Sequence, residues 1–175
     1  MKNVLQTLAK IICIILISWD VSYAQVTFSV SPDSLDTTTG SNVCLNVTVA
    51  GFTDILSMQY SMNYDETVLE YTGSDSLNLA NLNASNIGNP SPGALTLSWL
   101  SDDLANGTSV SDFTSIYQVC FDVIGGTMTE SAIDFSGSPT SIEIADATGN
   151  ILGLMGESGL VTVDGGAGSG GGGGG

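Results

Sequence analysis

The sequence predicts an all-β protein, and three observations support that class. Between residues 25 and 164, short runs of β-branched, aromatic and aliphatic residues are separated by clusters of Gly, Asn, Asp, Ser and Pro. In several runs apolar residues recur at every second position, as in a strand with one buried face. No window keeps a helical period for more than a turn or two. About 140 residues suffice for one domain with a core between two sheets.

The N-terminus has the features of a secretory signal peptide. Lys2 and Lys10 flank a short polar region, an apolar stretch covers residues 11–19, and the segment ends in Ser-Tyr-Ala, with small residues where a signal peptidase cleaves. Asp20 interrupts the apolar stretch, which is shorter than the roughly 20 residues that a membrane-spanning helix needs. We therefore expect residues 1–24 to be removed and the protein to be secreted, with no membrane span.

The C-terminal residues 165–175 are mostly glycine, a composition that behaves as a flexible linker. Such a tail normally leads to further domains or a sorting signal, which would attach the protein to the cell surface; a simple flexible C-terminus is the alternative. The predicted organisation is a signal peptide at 1–24, one β-sandwich domain at 25–164 and a linker or truncated tail at 165–175.

The expected mature chain carries no basic side chain, because Lys2 and Lys10 are the only lysines or arginines and the sequence has no histidine. A surface without cations cannot neutralise phosphates, so nucleic acid is excluded as a partner. Anionic membrane surfaces are disfavoured for the same reason. Neutral polymers, divalent cations and proteins with basic or apolar patches are compatible partners. Solubility alone also explains the charge.

The missing residue types also argue against catalysis. Histidine is absent as a general base, and lysine and arginine are absent as partners for an oxyanion or a phosphate. Two carboxylates across a cleft could still hydrolyse a glycoside. However, Asp102 and Asp103, or Asp65 and Glu66, are neighbours whose side chains diverge on an extended chain. The sequence therefore predicts a non-catalytic module.

Three predicted strands define the expected core. In the run 56–64 the inward positions are the even-numbered ones, and in the run 94–100 they are Leu95, Leu97 and Trp99, which leaves Leu100 exposed on a polar face. In the run 114–123 the register slips near Ile116, so that Ile116 or Tyr117 faces inward and a bulge is expected. The predicted runs are 26–30, 42–49, 56–64, 68–72, a weak segment at 77–82, 94–100, 114–123, 132–135, 141–145 and 159–163.

Two cysteines, Cys44 and Cys120, remain after removal of the signal segment that contains Cys13. Alternation places both on the outward faces of their strands. Free cysteine is usually buried, so an outward pair in an exported chain indicates a disulfide. Opposed Cα atoms on adjacent antiparallel strands lie about 4.5–5.5 Å apart, which a disulfide tolerates. We therefore predict that these two strands pair directly.

Six segments in a fixed order resemble a cohesin module, the receptor half of the cohesin–dockerin pairs that assemble cellulosomes and related extracellular complexes. The most distinctive is MQYSMNYDETVLEY at 58–71, with its Tyr-Asp step followed by Val-Leu-Glu. The others are GSNVCLNVTV at 40–49, LTLSWLSDD at 95–103, SIYQVCFDV at 115–123, IEIADATGN at 142–150 and GLVTV at 159–163.

The resemblance implies a nine-stranded jelly-roll β-sandwich and a protein partner of the dockerin-bearing kind. It also implies binding on one flat sheet face, where Leu100 would be an anchor for a partner helix. An isolated exposed leucine is also commonplace on protein surfaces. The matching outward positions are Gln59, Ser61, Asn63, Thr96, Ser98 and Leu100, with Ser101, Asp102 and Asp103 at the strand end.

Two other functions are compatible with this fold. Cellulose-binding modules share it, so direct polysaccharide binding is an alternative, but it needs a flat row of exposed aromatic residues. Most aromatic residues fall on core positions, and only Phe52, Tyr71 and Tyr117 are left to be exposed. A passive structural or adhesive domain of a larger surface protein is the third function, and the glycine tail supports it.

No cofactor is expected other than a structural calcium ion. Asp146 and Asn150 bound a loop rich in oxygen ligands, the kind that Ca²⁺ prefers. Turn formation explains the same residues, and the sequence has no EF-hand or dockerin loop pattern.

Overall fold

The computed structural model describes residues 25–164, which form twelve β-strands and one short 3₁₀ turn. The predicted signal peptide and glycine-rich tail lie outside the described residues. Within residues 25–164, no helix is long and apolar enough to cross a membrane. The strands are β1 (Gln25–Ser31), β2 (Ser34–Thr37), β3 (Asn42–Ala50), β4 (Ile55–Asn63), β5 (Leu69–Asp75), β6 (Ile87–Ser91), β7 (Ala94–Leu100), β8 (Thr114–Val123), β9 (Thr129–Ser136), β10 (Glu143–Asp146), β11 (Ile151–Glu157) and β12 (Gly159–Val163), and the 3₁₀ turn is Ala84–Asn86.

The strands form two sheets that face each other. The first sheet has the order β11–β1–β3–β8–β5. In the second, β4 pairs with β7 on one edge and with both β10 and β9 on the other; β6 pairs with β7, and β12 and β2 continue from β9. The pairs β1–β11 and β12–β2 are parallel, and the others are antiparallel. Because β11 pairs with both β1 and β10, it closes one side of the sandwich; the other side lies between the edge strands β5 and β6.

The core between the sheets is rich in aromatic side chains. Phe28 lies fully buried, with its ring centroid 5.1 Å from that of Tyr60, 5.9 Å from Phe135 and 6.4 Å from Phe52. The hydroxyls of Tyr60 and Tyr117 are 2.7 Å apart. Burial raises the pKa of both phenols, so both stay protonated. The inward stripe predicted for the run 56–64 is confirmed at residues 58, 60, 62 and 64, which are buried, whereas Leu56 is only partly buried and its neighbour Ile55 is the buried residue at the start of β4.

The bulge expected in β8 is present. Tyr117 pairs with Val47 and Ser115 with Thr48, so Ile116 is the extra residue on the β8 side. Ile116 and Tyr117 are both buried, at 0% and 1% exposure. The bulge therefore lets two consecutive large side chains enter the core, where the sequence left a choice between them.

The predicted β-sandwich class is confirmed, with twelve strands where nine were expected. The sequence-based prediction missed β2, β6 and β11, and the weak segment at 77–82 is not a strand. β2 has only four residues, and β6 and β11 contain Pro90 and glycines, which disfavour strand prediction. Gly156 of β11 has a structural reason, because a Cβ at that position would stand 2.9 Å from Phe135 Cβ.

Candidate partner-binding face

The outer face of the sheet formed by β10, β4, β7 and β6 carries a row of residues with an exposed aliphatic side chain at each end. Leu100, which is 52% exposed, lies opposite Ser57; Ala145 lies opposite Ser57 on the next strand, and Ile151 opposite Ala145. Ile151 is 63% exposed. Directly opposed residues share a face, and three strand spacings separate Leu100 from Ile151 by about 14 Å. The predicted exposure of Leu100 is confirmed.

The next row along the face is polar. Gln59 of β4 lies between Ser98 of β7 and Glu143 of β10. With Ser57, these three side chains line a shallow depression of about 70 Å³. Leu100 therefore stands at the edge of a small polar hollow that contains one carboxylate.

Two of the residues predicted to face outward are buried, so their predicted exposure was wrong. Ser61 is 0% exposed because the connection between β9 and β10 crosses it: its hydroxyl accepts a hydrogen bond from the Thr140 amide at 2.8 Å and donates to the Thr140 carbonyl at 3.1 Å. Ser101 is 1% exposed, with its hydroxyl 2.8 Å from that of Thr108 and accepting from the Asp103 amide at 3.1 Å. Both serines hold loops in place.

The remaining predicted positions stay at the surface. Asn63 and Thr96 are half-buried, and Asp102 and Asp103 are exposed. The Asp103 carboxylate accepts hydrogen bonds from the Asn106 side chain and from the Asn106 and Ala105 amides. These bonds, that of the Asn106 side chain foremost, hold the pKa of Asp103 below its usual range. Asp103 therefore shapes the loop after β7, and Asp102 is the more accessible carboxylate.

Comparison with protein families decides the identity of the fold. The family profile described as "Cohesin domain" matches residues 28–151, well over half of the chain. This chain belongs to the cohesin family. Cohesins are non-catalytic binding modules, in agreement with the absence of basic residues from residues 25–164. No match was found among curated protein sequences.

Several solved cohesins share this fold. The sixth cohesin of scaffoldin B from Acetivibrio cellulolyticus, in complex with a mutant Cel5 dockerin, is 20% identical, with a TM-score of 0.66 over 80% of this chain and 99% of that one. A type I cohesin–dockerin complex from Clostridium thermocellum is 13% identical, with a TM-score of 0.65 over 79% and 99%. A non-cellulosomal cohesin from the archaeon Archaeoglobus fulgidus is 22% identical, with a TM-score of 0.61 over 80% and 91%. At these identities the likeness establishes the fold.

The predicted disulfide of this cohesin is present on the face opposite the candidate site. Cys44 of β3 lies directly opposite Cys120 of β8, and the two form a bridge with Cα atoms 4.1 Å apart. Gly73 of β5 lies on the other side of Cys120. The bridge therefore ties together the middle of the first sheet and leaves the outer face of the second sheet untouched.

The loop between β10 and β11 is an internally bonded turn. The Asp146 carboxylate accepts hydrogen bonds from the backbone amides and side chains of Thr148 and Asn150, at 2.8–2.9 Å. These bonds, led by the Asn150 side chain, lower the pKa of Asp146 to about 2. Within residues 25–164 no cluster of three or more His, Cys, Asp or Glu side chains could hold a metal ion. Turn formation thus accounts for Asp146 and Asn150.

Two further exposed apolar residues near this face were missed by sequence reasoning. Ile151 begins β11, a strand whose glycines hid it, and Leu104, which is 64% exposed, follows Leu100 in the loop after β7. The exposure of Leu104 could have been predicted from the sequence, since it is the only aliphatic residue larger than alanine in the polar segment 101–109. Leu100 and Leu104 are thus two exposed leucines four residues apart at the end of β7, and Ile151 is the exposed aliphatic residue at the other end of the row.

Proposed function

We propose that this cohesin is a receptor module that binds a dockerin-type partner on the outer face of β10, β4, β7 and β6. The observation that carries the proposal is Leu100, whose side chain is 52% exposed at the edge of a polar hollow on that face. An exposed leucine beside polar groups suits the anchor of a helix that lies across a sheet. The assembly is expected to be extracellular, secreted or attached to the cell surface.

We expect the burial of apolar side chains to contribute modestly to the binding free energy and to fix the orientation of the partner helix. Full burial of a leucine side chain is worth roughly 1.5–3 kcal/mol, and Leu100 is already about half buried, so its anchoring contributes about 1 kcal/mol from transfer alone. Ile151, about 14 Å away across the strands, offers a second contact. Two aliphatic contacts at that separation would orient a helix across the strands.

Charge is expected to select the partner. Glu143 borders the hollow and Asp102 is exposed at the end of β7, while residues 25–164 contain no lysine, arginine or histidine. A partner that presents lysine or arginine around an apolar centre would complement this face. Such complementarity acts mainly on the association rate and weakens with salt.

The related structures support a dockerin as the partner. The scaffoldin B cohesin and the Clostridium thermocellum cohesin were both solved as complexes with dockerins. Export is supported by the signal-peptide features of residues 1–24, and attachment by the glycine-rich composition of residues 165–175, which is typical of a linker. N-terminal sequencing of the protein from culture medium would establish cleavage after residue 24.

Isothermal titration against a panel of purified dockerin modules tests the proposal. A cognate dockerin is expected to bind, and Leu100→Asp to weaken binding at least 30-fold, because it places an unpaired carboxylate in the interface; about 2 kcal/mol gives that factor. Met128→Asp is the matched control, since Met128 is 90% exposed and lies in the connection between β8 and β9, where its amide donates to the Val163 carbonyl and no residue of the proposed face is its strand partner. No binding to any dockerin, or an equal loss in both variants, would contradict the proposal.

Direct polysaccharide binding is the alternative that the shared fold suggests, and a binding assay with the same purified protein tests it. Two of the three aromatic residues left available by the sequence are buried: Phe52 is 0% exposed and Tyr117 is 1% exposed. Tyr71 is half-buried. Retention on insoluble cellulose that free cellobiose reverses would favour this alternative over a protein partner.

A further inference from the structure

The open side of the sandwich contains a cleft that the dockerin proposal does not use. It lies between the edge strand β5 and the hairpin of β6 and β7, and its volume is about 320 Å³. That is the lower end of the range in which small-molecule sites are found. The side chains that matter to its chemistry are Tyr64, Glu66, Glu70, Tyr71, Asn89 and Ile124.

Apart from the tyrosine hydroxyls, which can donate or accept, the polar side chains of the cleft act as acceptors. Glu66 and Glu70, both exposed, are the charged residues among those that line it. Asn89, with its amide oriented to donate to the carbonyls of Ser91 at 2.8 Å and Ala94 at 3.1 Å, leaves only its oxygen for a ligand. A ligand that fits this arrangement must therefore supply hydrogen-bond donors.

The two carboxylates have no cation within the described domain. Residues 25–164 contain no lysine, arginine or histidine, so no side chain there can form an ion pair with Glu66 or Glu70. Glu70 also lies directly opposite Asp122 on β8, and like charges in opposed positions repel each other. A positive charge bound in the cleft would relieve this repulsion and benefit from the negative potential of the whole surface.

The walls of the cleft are apolar, and packing against Phe121 holds the two tyrosine rings in place. Ile124 is 48% exposed, while Tyr64 and Tyr71 pack their rings edge-on against Phe121, at centroid distances of 5.0 and 6.0 Å. Ile124 and the two tyrosine side chains therefore offer the cleft apolar contacts that an aliphatic chain can use.

The turn that bears Glu66 is fixed on both sides. The Asp65 carboxylate accepts hydrogen bonds from the Thr67 amide at 2.8 Å and the Thr67 hydroxyl at 2.6 Å, and the Ser131 hydroxyl accepts from the Asp65 amide at 2.9 Å. A Cβ at Gly93 would stand 3.4 Å from the Glu66 carboxylate, so the hairpin tip lies against that side chain. The Glu66 charge also adds to the effect of burial in raising the pKa of Tyr64.

We propose that this cleft binds an ammonium or guanidinium group carried on an aliphatic chain, with Glu66 and Glu70 as its counter-charges. Lysine and arginine side chains have this chemistry, and so do free diamines. The charged head pairs with the carboxylates and the Asn89 oxygen, while the aliphatic chain packs against Ile124 and the tyrosine rings. The free edge of β5 beside the cleft offers backbone groups to an extended peptide that carries such a side chain.

This site is separate from the candidate dockerin face. Along β4, six residue steps separate Ser57, which opposes Leu100, from Asn63, which precedes the cleft residue Tyr64. At about 3.4 Å per residue the two sites are roughly 20 Å apart. The inference does not depend on the identity of the protein partner, and Leu100→Asp is expected to leave amine binding unchanged.

The test is a titration of the ¹⁵N-labelled protein followed by two-dimensional NMR. The probes are 1,5-diaminopentane, the peptide acetyl-Gly-Lys-Gly-amide, its norleucine analogue as the neutral control, and cellobiose. We expect saturable shifts of the amide signals of residues 69–71, 89 and 93 with the diamine or the lysine peptide, and none with norleucine or cellobiose. Tighter binding of the peptide than of the diamine would identify a protein side chain as the source; the reverse would identify a free amine.

Glu66→Gln combined with Glu70→Gln is expected to weaken amine binding at least tenfold. The matched control is Asp33→Asn with Glu157→Gln, which removes the same charge on the β1–β2 connection and on β11. Thermal unfolding establishes that both double variants fold. Shifts that do not saturate, an equal loss in the control pair, or shifts produced by cellobiose and not by the amines would overturn the proposal.

Discussion

The hydroxyl of Ser61 exchanges two hydrogen bonds with the backbone of Thr140, accepting from its amide and donating to its carbonyl. We expect Ser61→Ala to lower the free energy of unfolding by about 1–3 kcal/mol, because the part-buried amide and carbonyl of Thr140 lose their partner at a fully buried position. Ser98→Ala, at an exposed position on the neighbouring strand, is the control and is expected to change stability by less than about 0.5 kcal/mol. Denaturant unfolding measures both. Equal effects would mean that the Thr140 bonds contribute nothing.

The buried phenols of Tyr60 and Tyr117 are expected to be energetically coupled. Tyr117→Phe or Tyr60→Phe alone leaves one hydroxyl without its partner in the core, at a cost of about 1–3 kcal/mol, whereas removing both is less costly than the sum. A double-mutant cycle by denaturant unfolding measures the coupling. Strict additivity would contradict the pairing of the two hydroxyls. Because Tyr117 also donates to the Met62 sulfur, we expect its loss to be the more costly of the two.

The bridge between Cys44 and Cys120 closes a sequence separation of 76 residues. Replacing both cysteines with serine is expected to lower the free energy of unfolding by about 2–4 kcal/mol, chiefly because the unfolded chain gains freedom. Chemical reduction should destabilise the natural protein by a similar amount and leave the double variant unchanged. A reductant effect of equal size on both proteins would show that it acts elsewhere. Partner binding on the opposite sheet should persist in the double variant.

We expect the stability that the Asp146 turn contributes to depend on pH. Because hydrogen bonds lower the pKa of this carboxyl to about 2 in the folded state, its stabilising effect is fully present above the unfolded value of about 3.9. The effect is lost as the pH falls through about 2. In an NMR titration, Asn150→Ala should raise the midpoint toward the unfolded value. Asp65, whose bonds come from Thr67, serves as the internal reference. A titration midpoint near 4 for Asp146 in the natural protein would contradict the hydrogen bonds of this turn.

Strand periodicity was sufficient to predict the class, the core stripe of β4 and the exposure of Leu100. These features depend on local alternation, which places every second side chain on one face. The same alternation led to the disulfide, because it put Cys44 and Cys120 on outward positions that the fold then brought into direct opposition. Features that depend on a strand's own sequence were therefore accessible without a structure.

Features that depend on distant segments were not accessible. Ser61 is covered by Thr140, which lies 79 residues further along the chain, and alternation carries no information about such a loop. The row that ends at Ile151 depends on pairing between β10 and β11, and the glycines of β11 weaken its strand signal. The amine cleft likewise requires the hairpin of β6 and β7 to meet the turn at Glu66.

The most direct test of the central claim is the footprint of a bound dockerin on the ¹⁵N-labelled protein. If the partner binds the outer face of β4 and β7, the amide signals of Gln59, Ser98, Leu100 and Asp102 should shift, while those of the first sheet's outer face, such as Thr48 and Gln118, should not. A footprint on the first sheet, or one that leaves Leu100 unchanged, would contradict the account.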